Sequence, residues 1–203
     1  MKLVTYATPS HREMCDRFVI DNAEAAGFDE CMLFEDAQRC ESGAYNSAGF
    51  AECMWQKLNG LASLPVGDRV CYVDADCIIR PGFAEYCSTW LDDNPLTIGH
   101  GKDLGQFCMG IALFEQTVET VDWWRFLYRL AWITDRNDQD ALHGLLRNAH
   151  RIPLRLAMLP NDVVANWATY GNTENKFWDG EETLIVPKET LCWHANFCIG
   201  IEN

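Results

Sequence analysis

Basic residues are scarce in this sequence. Only 16 lysines and arginines stand against 30 aspartates and glutamates, for a net charge of -14 over 203 residues. Proteins that hold a nucleic-acid backbone do so through clusters of Lys and Arg that displace counterions. No such cluster is present, which excludes nucleic acid as the main partner. Long apolar runs are missing too. No segment approaches the roughly 20 apolar residues that a membrane-spanning helix needs. The apolar stretch within MKLVTYATPSHREM is too short for the core of a secretion signal. The chain is expected to be soluble and cytoplasmic, with no membrane span. Internal repeats and low-complexity tracts are also absent.

Closely spaced cysteine pairs are a further absence. The sequence has 10 cysteines, yet no CxxC, so the ligand spacings of a structural zinc site are lacking. Most of the cysteines sit within apolar strand-like or helix-like patterns. They are expected to be reduced core residues; an oxidised scaffold is the competing reading.

What is present suffices for one core. The apolar share is 48%, and the length fits a single domain. Lys2 to Thr8 reads as a strand stopped by Pro9. Ser10-His11-Arg12-Glu13 reads as a capping box. It opens a helix with Met14, Phe18, Val19 and Ala25 that ends at Gly27. Cys31 to Phe34 reads as a second strand, residues 44 to 63 as a long helix with apolar residues at helical spacing, and Arg69 to Val73 as a third strand.

Beyond these, Phe83 to Leu91 reads as a helix. Residues 99 to 110, GHGKDLGQFCMG, read as an open loop leading into a strand, Ile111 to Phe114. Such a glycine-rich loop is expected to order when a ligand binds. Residues 117 to 132 read as a helix, and Asn137 as the cap of another, Asp138 to Asn148. Strand-like pieces follow at Leu154 to Leu159, Thr183 to Val186 and Leu191 to His194. Strands alternating with helices predict an α/β fold with a mostly parallel sheet between helices. Ligands bind such sheets beyond the carboxyl ends of the strands.

The third strand ends on Asp74-Ala75-Asp76. Side chains two apart in an extended segment face the same way, so both carboxylates can address one site. Hard oxygen ligands suit Mg²⁺ or Mn²⁺. A cation there would let this acidic chain hold a diphosphate and would stabilise its departure. The competing reading is that both are turn formers after a strand.

In the order of its motifs the chain resembles the nucleotide-sugar glycosyltransferases of the GT-A fold, and is similar to their retaining families. The matching features are VTYATPS, the lysine of MWQKLNG, YVDADCIIRPGF, CMGIALF, NDQDAL and the terminal WHANF. They run through nearly the whole chain. The resemblance implies a single GT-A, Rossmann-like domain over residues 1–203: a mixed, mostly parallel sheet flanked by helices.

It also implies roles. Asp76 would bind the metal directly, and Asp74 would support the metal or contact the donor's ribose. Thr5, Tyr6 and Ala7 would cradle the nucleotide, and Lys57 would reach the donor from its helix. Asp138 and Gln139, with Asp140 beside them, would face the donor sugar and the reaction centre. His194 would be the third metal ligand. Plainer readings compete: Lys57 as a solvated helix residue, Tyr6 as packing, Asp138 as a carboxylate favoured at a helix N-terminus, His194 as a core histidine. The aromatic group Trp123, Trp124, Phe126, Tyr128 and Trp132 reads as the core and surface of one helix. Two departures stand out. Related sequences often have Asn-Ser-Gly where this chain has Cys108-Met109-Gly110. They also often carry a lysine after the final histidine and glycine, where this chain has only Ile201, Glu202 and Asn203 beyond Gly200. Either that lysine is absent or these residues are one domain of a longer enzyme, and the second is the expectation.

The resemblance implies transfer of a sugar from a nucleoside diphosphate, UDP in the first instance, to an acceptor hydroxyl on a glycan or glycoprotein, with retention and with Mn²⁺ or Mg²⁺ as cofactor. Two alternatives stand beside it. One is a sugar- or nucleotide-binding module without turnover. The other is a phosphatase of the haloacid dehalogenase type, which also uses Asp-x-Asp after a buried strand but on its first strand.

Overall fold

The computed structural model describes residues 1–40, 47–94, 96–100, 107–148, 157–160, 163–166 and 190–194. Its main sheet has six strands: β1 (Lys2–Ala7), β2 (Glu30–Glu35), β3 (Arg69–Asp74), β5 (Leu96–His100), β6 (Phe107–Glu115) and β7 (Ala157–Met158). They are ordered β2-β1-β3-β6-β5-β7. β1 pairs in parallel with β2 and β3, β5 with β7, and only β6 runs against its neighbours. The expected mixed, mostly parallel sheet is what forms. A second sheet joins β4 (Cys77–Ile79), β9 (Cys192–His194) and β8 (Val164–Asn166) in the order β4-β9-β8.

The two-residue period of the strands divides the core into two layers. Val4, Tyr6, Val70, Tyr72, Ala112 and Phe114 point to one side. There they meet α2 (Phe50–Ser63), α4 (Val118–Thr134) and α5 (Asp138–Asn148), through Leu58, Trp124 and Leu142 among others. Leu3, Ala7, Cys71, Val73, Ile111 and Leu113 point to the other side. They pack on α1 (Arg12–Cys15) with the π turn Asp16–Ile20 that continues it, and on α3 (Phe83–Asp93). Trp123 and Trp124 are buried, whereas Phe126 and Trp132 on the same helix are exposed, so α4 carries both core and surface as its sequence suggests. No helix among the described residues is long and apolar enough to cross a membrane.

Three local expectations need correction. The capping box at Ser10 does not form. Thr8 takes the N-cap position of a 3₁₀ turn, Pro9–His11, because proline favours the first helical position. Ser10 then lies inside the turn, its hydroxyl bonded to His11 Nδ1 at 2.8 Å. α2 starts at Phe50, behind Gly49 at φ +83°, where a Cβ would fall 2.0 Å from the Arg39 carbonyl oxygen. Only glycine fits that approach. Both ends of the stretch expected as an open loop are strand: β5 runs to His100 and β6 begins at Phe107, and residues 101–106 lie outside the described residues. The strand expected at Thr183 to Val186 lies outside the described residues.

Candidate metal and donor site

The sheet brings the carboxyl ends of β1 and β3 together. Tyr6 lies beside Asp74 in register. Beyond Asp74 the chain turns through Ala75 and Asp76 into β4, which pairs antiparallel with β9 so that Cys77 faces His194. The last described strand thereby returns to the Asp-x-Asp motif. His194 Nε2 stands 3.1 Å from Asp76 Oδ1 and 3.7 Å from Asp74 Oδ2. His194 and Asp76 are both buried, and Asp74 is partly open.

The donor set fits a divalent cation. Two ligands at right angles around an ion, with bonds of about 2.1 Å, lie about 3.0 Å apart; the Asp76–His194 separation matches. Ligand atoms of Asp76, Cys77 and His194 lie within 4.8 Å of one another. The Cys77 thiol also points at the Gly110 carbonyl oxygen, 3.7 Å away. The carboxylates are the donors that suit Mn²⁺ or Mg²⁺, and the imidazole adds a nitrogen donor common at metal sites. Burial pulls the His194 imidazole down, but Cys108 and Asp76 outweigh it and hold the ring well above its ordinary value.

Beside the motif lies a buried ion cluster. Lys57, on α2, is fully enclosed. Its ammonium contacts Asp74 Oδ1 at 2.9 Å, the Met109 carbonyl at 2.9 Å and Asp138 Oδ2 at 2.7 Å. Tyr72 donates its hydroxyl to Asp74 Oδ1, and the Lys57 ammonium sits 5.0 Å from the Tyr72 ring centroid. Burial opposes the Lys57 charge, but Asp138 and Asp74 outweigh it, so the ammonium is held above its ordinary value. The solvated-helix reading of Lys57 is thus excluded. At 2.7 Å the Asp138 contact is a charge-assisted ion pair in which the ammonium donates to Asp138 Oδ2. That oxygen keeps a lone pair in a buried setting.

The other candidates are placed as follows. Asn137 caps α5 as expected: its Oδ1 accepts from the Asp140 backbone at 2.8 Å, and its amide donates to Asp140 Oδ2 at 3.0 Å. Asp140 is therefore part of the cap. The half-buried Gln139 donates its backbone N–H to Asp138 Oδ1 at 2.9 Å. Tyr6 is buried at the end of β1, and Ala7 packs on the opposite layer. The Thr5 hydroxyl contacts Cys15 Sγ at 3.6 Å.

Sequence reasoning missed Tyr72, Cys77 and the approach of Cys108 to His194. Tyr72 carried a signal, since it stands two residues before Asp74 and so shares its strand face. The other two depend on the β4–β9 and β6 pairings, which are not local.

No protein-family model matches the chain, and no curated protein matches it in sequence. Solved structures do. A glycosyltransferase involved in glycosylation of the major capsid protein of PBCV-1 superposes with a TM-score of 0.61 at 13% identity, covering 95% of this chain and 92% of its own. The galactosyltransferase LgtC, solved with donor and acceptor sugar analogs, gives 0.56 at 14% identity over 96% and 86%. Mouse xyloside xylosyltransferase 1 gives 0.57 at 10% identity over 100% of both chains. These likenesses establish the GT-A fold.

Proposed function

We propose that the chain is a metal-dependent glycosyltransferase that moves a sugar from a UDP-sugar to a hydroxyl of a glycan or glycoprotein, with retention at the anomeric carbon. The observation that carries this reading is the convergence of Asp74, Asp76 and His194 beyond the end of β3, on a GT-A scaffold whose likenesses include glycosyltransferases. The domain is taken to extend over residues 1–203.

Asp76 and His194 hold Mn²⁺ or Mg²⁺, with Asp74 supporting them. A divalent ion bound there supplies positive charge against the leaving diphosphate. Thr5, Tyr6 and Ala7 form the nucleotide side through their place at the end of β1; the Thr5 hydroxyl is turned toward Cys15. Lys57 acts on the donor by fixing Asp74 and Asp138, since its ammonium faces three protein oxygens. Asp138 Oδ2 accepts a donor-sugar hydroxyl with the lone pair that the Lys57 ammonium leaves to it. Gln139 follows at the reaction centre.

Retention is supported by what Asp138 and Asp140 do. An inverting transfer needs a carboxylate to take the acceptor's proton. Asp138 is ion-paired and Asp140 is held in the cap, so neither is poised as a base. In a retaining transfer a donor phosphate oxygen takes that proton. The phosphatase reading falls with the fold, because the motif closes the third strand of a GT-A sheet.

Calorimetry with UDP tests the proposal. Heat of binding is expected with Mn²⁺ and is expected to vanish with EDTA or in Asp76→Ala. Absence of UDP binding under every condition would overturn it. Mn²⁺-dependent binding of UDP-sugars without hydrolysis or transfer to any acceptor would favour the binding module.

A further inference from the structure

A histidine that ligates a cation through Nε2 must keep its ring proton on Nδ1, and whatever accepts that proton orients the ring. In this chain the atom facing His194 Nδ1 is the sulfur of Cys108, 3.0 Å away and buried. The other nitrogen faces Asp76 and Asp74. Behind the ring lies Gly110, where a Cβ would fall 2.1 Å from His194 Cε1 and 2.4 Å from Nδ1. Cys108 and Gly110 both stand on β6, beside a shift in its register with β5, and the face they make there is the one the ring meets. That face presents a backbone surface for the imidazole to lie on and one polar atom at its edge. The backbone sets where the ring lies. Of the two, only the sulfur distinguishes one ring nitrogen from the other.

We propose that Cys108 is a positioning residue for the metal site: its sulfur accepts the Nδ1–H of His194 and so commits Nε2 to the cation held with Asp76. The inference rests on the metal-dependent reading above, and it adds a residue from a strand that supplies no ligand.

The test compares Cys108→Ala, which removes the acceptor, with Cys108→Ser, which keeps one. Mn²⁺ affinity is read from the free-ion electron paramagnetic resonance signal. Cys108→Ala is expected to bind Mn²⁺ at least about 10-fold more weakly, as loss of such a partner typically does, and Cys108→Ser to recover most of that loss. In the wild type with Mg²⁺ and UDP, nitrogen NMR is expected to find the His194 proton on Nδ1. This measurement serves even where the alanine variant fails to fold. Wild-type affinity in Cys108→Ala, equal weakening in the serine variant, or a proton on Nε2 would each overturn the inference while leaving the metal site standing. A wild type that binds no Mn²⁺ would remove both readings together.

Discussion

Lys57 shows how one residue changes meaning once its surroundings are known. In sequence it is a polar position on an amphipathic helix. In the fold it is, among the described residues, the one cation in contact with both Asp74 and Asp138. Removing one partner of a buried pair is costly because the charge left behind is uncompensated. Lys57→Met, close in length but uncharged, is expected to lower stability by roughly 3 kcal/mol, read by denaturant unfolding. The pH dependence has a definite sign. The folded-state value is raised, so the contribution is complete below the unfolded value of about 10.4. It is lost only as pH climbs through the still higher folded value. The gap between wild type and Lys57→Met should hold constant from pH 7 to pH 9; a gap that closes there would show that the ammonium is not held by its carboxylates.

At the scale of elements, α5 ties local sequence to the site. Asn137 closes the first turn by bonding the Asp140 backbone, and the next residue, Asp138, reaches Lys57. The cap therefore supports the helix and the placement of a candidate donor contact. Asn137→Ala is expected to cost about 1 kcal/mol and Asn137→Ser much less, measured as the shift in denaturant midpoint. An alanine variant as stable as the wild type would mean that packing alone holds the turn. This cap was legible in sequence because it is made within four residues. The box expected at Ser10 was not, because Pro9 opens the turn and moves the cap to Thr8, two residues earlier, and the choice between two nearby caps is decided by backbone geometry. β1, β3 and the Asp-x-Asp between β3 and β4 were legible from apolar runs and a turn. Cys108 beside His194 was not, since it needs β6 and β9 to meet across 86 residues of sequence.

For the whole molecule, the composition and the two-layer core make one statement about the cysteines. None of the nine described cysteines is in a disulfide, and eight of them are buried. Cys71 and Cys87 approach to 3.9 Å and Cys40 and Cys53 to 4.0 Å, well beyond the roughly 2.05 Å of a disulfide. Cys40 and Cys53 on one side of the sheet, and Cys15, Cys71, Cys77, Cys87 and Cys192 on the other, pack as small apolar groups, in the core positions that the sequence reading expects of most cysteines. Burial pushes the Cys15 thiol up to about 11 and holds Cys71 and Cys77 well above the ordinary value. A thiol reacts as its thiolate, so burial and protonation act together to silence these residues at neutral pH. Cys31 is the half-exposed one. Its thiol is raised as well, so it should react slowly but ahead of the rest. Iodoacetamide at pH 7.5, followed by peptide mass mapping, is expected to label Cys31 first among these nine in the folded protein, and all of them in denaturant. Native labelling of Cys71 or Cys77 as fast as Cys31 would mean that the layers open without global unfolding. Because Cys77 adjoins Asp76, opening on that side would also loosen the proposed cation site, and added Mn²⁺ with UDP should then slow the labelling of Cys77 but not of Cys71.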